Sequence, residues 1–222
     1  MEKEHNQKNM KSKHIFYQKY IKRFLDIVLS FCALIILFIP ILITALIVRI
    51  KLGSPVFFTQ ERIGMNEKPF KILKFRSMTN ERDANGDLLP DAQRLTKFGK
   101  LLRTTSIDEL PALVNIIKGD MSIVGPRPLP VLYRPYFTKE ERIRHTARGG
   151  LTGLAQIRGR NNLSWEEKFG YDIEYVNHIS FLNDAKIVFE TIGKVLLRKD
   201  VGVRGIQGAG DLNKLRKDMV EK

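Results

Sequence analysis

Two acidic residues stand side by side in the stretch "TSIDELPALVNIIKGD": Asp108 and Glu109, shortly before Pro111. The chain around them is strongly basic, with Arg103 just upstream and a formal net charge of +14 overall. Adjacent acids in such a chain have two interpretations, either the start of a helix or a reaction centre. A hard cation such as Mg²⁺ prefers oxygen ligands, and here it would find them only among carboxylates such as Asp108 and Glu109.

The helix that begins near these acids has two candidate starts. Ser106 and Glu109 match a capping box, which by itself explains the glutamate. With Ser106 as the cap, however, Pro111 becomes the fifth helical residue, where its missing N–H loses a hydrogen bond. With Asp108 as the cap, Pro111 falls in the first turn and the predicted helix covers residues 108–118. The acids then lie at the positive end of the helix, which favours their ionised forms and can receive a phosphate. The local pattern alone favours capping over catalysis.

Basic side chains that suit phosphate groups lie on both sides of the acids. Arg127 lies between two prolines in "GPRP", so a stiff backbone presents its guanidinium, and the forked donors match phosphate oxygens. The alternative is a solvated arginine in a proline turn. Lys74 and Arg76 share a predicted strand face in "KFRSM", and Arg148 precedes a pair of glycines.

The composition restricts the class of protein. The 222 residues suffice for one domain with a sizeable core. A sequence pI of about 9.9 implies an anionic partner, which is nucleic acid, an anionic membrane surface or a phosphorylated substrate. The single cysteine, Cys32, rules out an internal disulfide and fits a reducing compartment. The sequence contains no GxGxxG nucleotide fingerprint, no Walker-type phosphate loop and no Cys/His zinc pattern.

An apolar run from Ile27 to Val48 holds 22 residues without Lys, Arg, Asp or Glu. As a helix it extends about 33 Å, enough to cross a bilayer core. Residues 1–23 carry seven Lys or Arg and two acids, and residues 49–82 carry eight and three, so both flanks are expected in the cytoplasm. Pro40 removes a backbone donor and favours a kink. These features predict a re-entrant helix that bends at Ile39-Pro40; a kinked spanning helix is the alternative.

The rest of the chain predicts one compact, mostly helical domain. The stretches "GSPVFFTQERIG" and "KPFKILKFRSM" predict a short β-hairpin, residues 79–92 a polar loop, and "QRLTKFGKLLR" an amphipathic helix. A capping box of Thr138 and Glu141 opens "TKEERIRHTA". Residues 180–198 carry apolar side chains at helical spacing: Phe181, Ala185, Val188, Ile192 and Val195. The predicted fold class is α+β, mostly helical.

Three of these stretches together resemble a known family. In chain order they are "SPVFFTQERIGMNEKPFKILKFRSM", "LTKFGKLLRTTSIDELPALVNIIKGDMSIVGPRPLP" and "GLTGLAQIRGRN". Their order resembles that in bacterial initiating sugar transferases, the small monotopic polyprenol-phosphate phosphoglycosyl transferases. The resemblance covers roughly residues 20–198.

The resemblance implies an activity, a mechanism and a location. The family moves a sugar-1-phosphate from a UDP-sugar to undecaprenyl phosphate and releases UMP at the cytoplasmic face of the bacterial inner membrane. By this resemblance Asp108 is the nucleophile, which attacks the phosphate nearest the sugar and forms a covalent intermediate that the lipid phosphate displaces. Glu109 helps bind Mg²⁺, with Asp108 as the adjacent ligand. Such a protein serves the first membrane step of glycoconjugate or exopolysaccharide synthesis.

The resemblance also assigns basic residues and segments. Arg103 and Arg127 match positions that hold phosphates, Lys74 matches a basic position near the active site, and Arg148 is a further candidate. The N-terminal helix of the family is re-entrant. The predicted segments are therefore a polar N-terminal segment, a membrane-associated helix, a catalytic domain and a flexible tail, over residues 1–20, 21–51, 52–198 and 199–222.

The chain departs from the family pattern at two places. Family members commonly have Ser-Pro at the membrane break, where this chain has Ile39-Pro40, so a less sharply defined bend is expected. They usually have Arg-Pro-Gly before the "TG" motif, where this chain has Arg148-Gly149-Gly150. The missing proline predicts a looser loop and a less firmly directed Arg148.

Two other classes of protein compete with the transferase. A non-enzymatic membrane-anchored adaptor that binds anionic lipid accounts for the charge and the apolar helix, but not for an acid pair beside a stiff arginine. A tethered nucleic-acid binder requires aromatic stacking residues in a basic groove, whereas aromatic residues make up 9% of the chain and are mostly placed as core. No nucleic-acid partner is expected, a homodimer is left open, and the sequence names neither the sugar nor the pathway.

Overall fold

A computed structural model describes residues 16–159, 162–197 and 210–219. The α-helices are α1 Lys22–Ile36, α2 Phe38–Leu52, α3 Lys97–Thr104, α4 Leu113–Lys118, α5 Leu154–Arg158, α6 Trp165–Asn177 and α7 Phe181–Leu196. The strands are β1 Phe57–Ile63, β2 Pro69–Phe75, β3 Met121–Val124 and β4 Gly149–Thr152. Shorter turns are the π-helix Tyr17–Ile21, the α-turns Asp91–Arg94 and Leu212–Leu215, and the 3-10 helices Met65–Glu67, Ile107–Ala112, Val131–Tyr136, Glu141–Thr146 and Lys217–Met219. The described chain is mostly helical with short strands, as the sequence predicts.

The predicted hairpin is confirmed as the antiparallel pair β1–β2. Its register runs from Phe57 opposite Phe75 to Ile63 opposite Pro69. Residues directly opposite each other share a face of the pair, and alternate residues along a strand return to that face. Arg62 and Lys74 therefore lie on the same face of the hairpin.

A second sheet, the parallel pair β3–β4, was not predicted. Each strand has only four residues, and Ser122 pairs with Gly150. A Cβ atom on Gly150 would lie 2.2 Å from the backbone nitrogen of Gly125, so only glycine allows this approach. The stretch after Arg148 is thus a strand held in register, and the prediction of a looser loop at Gly149 and Gly150 is wrong.

The apolar run forms two helices, and the predicted break position is wrong. The break falls at Leu37, three residues before Pro40, and α1 and α2 meet at a bend of 65°. The Pro40 ring crowds the carbonyl four residues earlier and cannot donate to it, so the helix is interrupted in the turn before the proline. Within the described part of the chain, no single helix is long and apolar enough to cross a membrane. The bent pair Tyr17–Ile36 and Phe38–Leu52 meets that test only when both helices are taken together.

Helix α1 has its polar residues on the protein side and its apolar residues outside. Lys22, Asp26 and Ser30 are all buried at helical spacing against the rest of the fold. The outward face carries large apolar side chains that are mostly exposed, among them Phe24 at 65% and Ile36 at 76%. A surface helix of a water-soluble protein has the opposite distribution, with its apolar face towards the core and its polar face towards water.

Two core clusters hold the middle of the domain together. Ile72 of β2, Ile116 of α4 and Met121 of β3 belong to one cluster, against which Ala33 and Leu34 of α1 pack. Val124 of β3, Tyr175 of α6 and Ile187 of α7 belong to a second. Strand β3 therefore contributes to both clusters, with Met121 at its start and Val124 at its end. The core packing holds both ends of the strand, and the loop that follows begins from a fixed position.

The C-terminal predictions are correct in part. Helix α7 confirms the predicted helix, but its buried residues are Asp184 and Ile187, whereas Phe181 and Ile192 of the predicted apolar face are exposed. The predicted flexible tail lies outside the described residues at 199–209 and 220–222.

Between those ranges, residues 210–219 contact the domain. Leu212 is fully buried in a core cluster, and the Arg216 guanidinium pairs with Glu141 at 2.7 Å. One aliphatic side chain and the ion pairs of Arg216 with Glu141 and Glu166 therefore hold the turn against the domain, which a Gly-rich, polar composition does not indicate. At the other end of the chain, the predicted polar segment lies outside the described residues at 1–15.

Candidate active site

The acid pair lies on a 3-10 helix instead of at the start of an α-helix. Ser106 adopts a left-handed conformation (φ 58°), the 3-10 helix Ile107–Ala112 follows, and α4 begins only at Leu113. The Ser106 side chain makes no capping hydrogen bond, and Asp108 is the second residue of the 3-10 helix, so both predicted caps are wrong. Pro111 lacks an N–H and disfavours α-helical geometry in the residue before it, which accounts for the irregular turn.

The Glu109 carboxylate is buried between two cations. Its Oε1 accepts a hydrogen bond from Lys74 Nζ at 2.6 Å and another from Arg127 Nη2 at 3.1 Å. Lys74 comes from β2 and Arg127 from the loop after β3, so three separate elements meet here. A buried carboxylate needs such partners to remain ionised. Asp108, the neighbouring residue, is equally buried at 5% exposure against 6% for Glu109.

The predicted Arg103 lies at the end of α3, on the side of the hairpin. Its Nε donates to Ser77 Oγ at 2.8 Å, just beyond β2. Arg76, which was expected to share a face with Lys74, also lies beyond the strand and donates to the Ser54 carbonyl at 2.8 Å. Burial lowers the pKa of the Arg76 guanidinium, with the charge of Arg49 as a second cause.

Arg148 lies at the far end of α4 from the acid pair. Its Nε donates to the Gly119 carbonyl at 3.0 Å, and Arg23 of α1 donates to the carbonyls of the preceding turn. Both arginines donate to backbone carbonyls around the C-terminus of α4. The structure therefore brings Lys74, Glu109 and Arg127 together without Arg148, whose role on a substrate phosphate stays a prediction.

Glu109 borders two cavities of opposite character. One is a small charged cleft of about 10 Å³. Besides Glu109 it is lined by the cations Arg62, Lys74 and Arg127 and by Ile72, Met121, Pro128, Gly150 and Leu151. The other is a mainly aliphatic cavity of about 300 Å³. Its lining comprises Leu110, Ile123, Leu151, Ile157, Val188, Ile192 and Val195, with Thr105, Ser106, Thr152, Gln156 and Thr191 as the other polar groups. Glu109 therefore has cationic side chains on one side and an aliphatic cavity on the other, whereas Asp108 lines neither of these two cavities.

The acid pair is the candidate metal site. Within the described ranges no group of three or more His, Cys, Asp or Glu side chains could hold a metal ion. Mg²⁺ in enzymes is commonly held by one or two carboxylates together with substrate phosphates and water. The donor set of Asp108 and Glu109 fits an ion that takes its remaining ligands from a substrate.

Sequence reasoning missed three residues around the site. Arg62 lines the charged cleft, and the hairpin register would have placed it on the face of Lys74. Arg144 and Asp172 form a buried ion pair at 2.7 Å, and Arg144 also donates to the Arg127 carbonyl. Their spacing of 28 residues gives no local signal, so only the tertiary structure reveals them.

Comparison with known proteins gives the family. Residues 17–198 match the family described as bacterial sugar transferase. The chain belongs to this family. It is 50% identical over 181 residues to the uncharacterized sugar transferase EpsL of Bacillus subtilis, covering 82% of this chain and 90% of that protein. Membership confirms that the protein is an enzyme of the transferase class. It excludes the alternative that the protein is a non-enzymatic adaptor.

Two further relatives have more specific names. One, 39% identical over 188 residues, is the UDP-glucose:undecaprenyl-phosphate glucose-1-phosphate transferase of Caulobacter vibrioides, with 79% of this chain and 69% of that protein covered. The other is the galactosyl transferase CpsE of Streptococcus agalactiae, 40% identical over 190 residues, with 79% and 42% covered.

Proposed function

We propose that this sugar transferase moves a sugar-1-phosphate from a UDP-sugar to a polyprenol phosphate, undecaprenyl phosphate, and releases UMP. The observation that carries the proposal is the position of Glu109 between a cleft with three cationic side chains and an aliphatic cavity. A nucleotide diphosphate is strongly anionic, whereas a polyprenol phosphate joins an anionic head to an apolar tail. The reaction needs both kinds of surface beside one acid pair, and the names of the relatives agree with these substrates.

In this proposal Asp108 is the nucleophile. A carboxylate oxygen attacks the phosphorus that bears the sugar, a new P–O bond forms, and the bond to UMP breaks with its electron pair on UMP. An oxygen of the lipid phosphate then attacks the same phosphorus and breaks the bond to Asp108. The product is a polyprenyl diphosphate sugar, and the carboxylate is regenerated.

Lys74, Arg127 and Arg62 serve the diphosphate in this scheme. They bring three positive charges into a partly buried cleft, where the low dielectric strengthens their attraction for phosphate oxygens. Arg103 and Arg148 remain candidates for phosphate contacts. Mg²⁺, held by Asp108 and Glu109, would supply further positive charge to the diphosphate and to the departing UMP. Glu109 keeps Lys74 and Arg127 at the cleft through its two ion pairs.

The test of this function is release of UMP by the detergent-extracted protein. UDP-glucose and UDP-galactose are the first donors, because both sugars occur in the names of relatives. The Asp108→Asn variant is expected to fold like wild type and to lose essentially all UMP release, since an amide cannot form the phosphoryl intermediate. Intact mass measured with donor and no lipid acceptor is expected to show one sugar-phosphate adduct in wild type only. Robust activity of Asp108→Asn would contradict the assignment.

The bent pair α1–α2 is the membrane anchor in this proposal. The outward apolar face of α1 and the 65° bend suit a helix pair that enters and leaves the cytoplasmic leaflet of the inner membrane. Both ends then remain in the cytoplasm. The buried Lys22 and Asp26 keep the inner face of α1 on the domain, so that the acceptor lipid and the catalytic domain meet at one membrane surface.

This topology is testable by cysteine labelling in intact cells. Lys19→Cys and Asn85→Cys, each in a Cys32→Ser background, place single thiols before and after the helix pair at exposed positions. Both sites are expected to resist an impermeant maleimide in intact cells and to react after lysis. If the Lys19 site reacts from outside while the Asn85 site stays protected, the helix pair spans the membrane.

A further inference from the structure

Arg144 is a fully buried arginine that binds both a carboxylate and the backbone of the loop that carries Arg127. Its side chain is 2% exposed, and its Nη2 donates both to Asp172 Oδ2 and to the backbone carbonyl of Arg127, each at 2.7 Å. Its Nε donates to the same Asp172 oxygen at 2.9 Å. A charge in the interior is costly unless it is paired and hydrogen-bonded, and here both hydrogen bonds from Arg144 to the carboxylate go to Oδ2, while Asp172 Oδ1 is buried without a hydrogen-bond partner among the described residues.

A fourth donor and the faces of the Arg144 guanidinium are also engaged. Its Nη1 lies 3.1 Å from His145 Nε2, and because arginine only donates, that nitrogen must be the acceptor of a neutral imidazole. Burial, together with the charge of Arg144, lowers the pKa of His145 to about 3, which keeps the ring neutral. Phe137 and Phe169 cover the guanidinium at 5.8 and 5.6 Å from their ring centres. The guanidinium is therefore fixed in position and orientation.

The loop that Arg144 contacts is held almost entirely through its carbonyl groups. Pro126 and Pro128 have no N–H, so the "PRP" segment has only one backbone donor. The Pro126 carbonyl accepts from the Gly150 N–H at 2.9 Å, and the Pro128 carbonyl accepts from Arg62 Nη1 at 3.2 Å. The contact of Arg144 falls on the residue between them, Arg127, whose side chain reaches Glu109.

We propose that Arg144 is a positioning residue for the reaction, which fixes the backbone of Arg127 and thereby directs its guanidinium onto Glu109 and the diphosphate of the donor. This inference rests on the proposed function. Pro126 and Pro128 fix their own φ, and Pro128 also favours an extended conformation at Arg127, but within that region the ψ angle of Arg127 can still change the direction of its carbonyl. Arg144 removes that freedom by binding the carbonyl of this peptide group. A misplacement of about 1 Å at a charge-binding group can cost about 10²-fold in rate, so a residue remote from the substrate can control turnover.

The test is a double-mutant cycle between the two arginines. UMP release is measured for Arg144→Met, Arg127→Ala and the double variant, at equal amounts of folded protein. Arg144→Met is expected to lose about 10–100-fold in rate. The double variant is expected to be no slower than Arg127→Ala alone, because Arg144 acts only through Arg127. A stabilising shift by UDP in thermal unfolding is expected to be weakened in both single variants.

Arg216 provides the matched control. Like Arg144, it lies over the ring of Phe169, at 5.5 Å from the ring centre. It pairs with Glu141 at 2.7 Å. Its other contacts are Glu166 and the Tyr136 carbonyl, and none of them is in the "PRP" segment. Arg216→Met is expected to lower stability, to keep the UDP shift, and to combine independently with Arg127→Ala.

Each outcome decides the assignment. If Arg144→Met and Arg127→Ala lower the rate by independent factors and the UDP shift of Arg144→Met is intact, Arg144 is structural only and the proposal is wrong. If Arg144→Met does not fold, Arg144→Lys replaces it in the same cycle, since lysine keeps a charge beside Asp172 but cannot make the forked contacts. A wild type that releases no UMP from any UDP-sugar overturns the proposed function and this inference together. An active wild type with independent variants overturns this inference alone.

Discussion

Two buried lysine–carboxylate pairs in this protein have nearly the same geometry and different surroundings. Lys22 Nζ lies 2.7 Å from Asp184, and Lys74 Nζ lies 2.6 Å from Glu109. Their side chains are between 8% and 12% exposed. The distances and burial alone would not tell which pair belongs to a reaction site.

The groups around each pair make the difference. Asp184 also accepts hydrogen bonds from the hydroxyls of Tyr17 and Tyr175, both at 2.7 Å, so both of its oxygens are engaged by neighbours that fill the space. This cluster, formed by Lys22, Asp184, Tyr17 and Tyr175, joins α1 to α6 and α7 and is called the α1 anchor here. Glu109, in contrast, borders a charged cleft and an aliphatic cavity. A ligand in a cavity beside Glu109 can take over Lys74 or Arg127 as its own partner. The hydroxyl groups around Asp184 leave no space for a ligand to do the same.

The largest expected effect is a loss of stability when the lysine of the α1 anchor is replaced. Lys22→Met leaves Asp184 without its cation in the interior, and breaking a buried pair in this way costs about 3–5 kcal/mol. We therefore expect a strongly lowered Tm in detergent, while the UMP release of the molecules that remain folded is unchanged.

Lys74→Met is the matched variant for Lys22→Met. Glu109 keeps Arg127 and borders the aliphatic cavity of about 300 Å³, so a small change in Tm and a large loss of rate are expected. A normal Tm for Lys22→Met, or a reduced rate per folded molecule, would show that the α1 anchor is not a purely structural pair.

The next effect concerns the second cation on Glu109. Arg127→Ala is expected to lower the rate of UMP release by about 10²–10³, as loss of a charge-stabilising donor commonly does, with little change in Tm. Arg127→Lys is expected to restore the rate only in part, because an ammonium cannot make a forked contact.

Arg134 serves as the control for Arg127. It is half-exposed and pairs with Glu67 at 3.0 Å, and exposed pairs contribute little to stability, so Arg134→Ala is expected to alter neither rate nor Tm. Full activity of Arg127→Ala would identify Arg127 as a solvated residue in a proline turn.

The two pairs also show how far the sequence alone could reach. Lys74, Glu109 and Arg127 lie in motifs that resemble a family, and the hairpin that carries Lys74 has clear strand periodicity. The α1 anchor joins residues 162 positions apart, Lys22 and Asp184, and neither has a local signal. The apolar residues of α7 were noticed, yet the buried face turned out to contain Asp184, because its partners come from distant helices.

The helix starts illustrate the same limit. The hydrogen bonds of the capping box predicted at Thr138 and Glu141 form at 2.9 and 3.2 Å, but the element that follows is the 3-10 helix Glu141–Thr146, whose N-cap is Glu140. At Ser106 and Glu109, where Pro111 argues against a capping box, the same spacing forms none: the Ser106 side chain makes no cap hydrogen bond, and the Glu109 carboxylate binds Lys74 and Arg127. A distant charge does not by itself decide the outcome, because Glu141 also pairs with Arg216 and still keeps its hydrogen bonds with Thr138.

The smallest expected effect tests whether the α1 anchor is enclosed as described. Tyr17→Phe removes one hydroxyl from Asp184 and leaves Lys22 and Tyr175 in place, so a loss of about 1.5 kcal/mol is expected, typical of a hydrogen bond to a charged group. UMP release per folded molecule is expected to match wild type. The Asp184 oxygen that loses this donor, Oδ2, still holds Lys22, which limits the cost. Thermal unfolding of Tyr17→Phe beside Lys22→Met measures both changes on one scale. A Tyr17→Phe variant as unstable as Lys22→Met would mean that the hydroxyl, and not the ammonium, holds Asp184 in the interior.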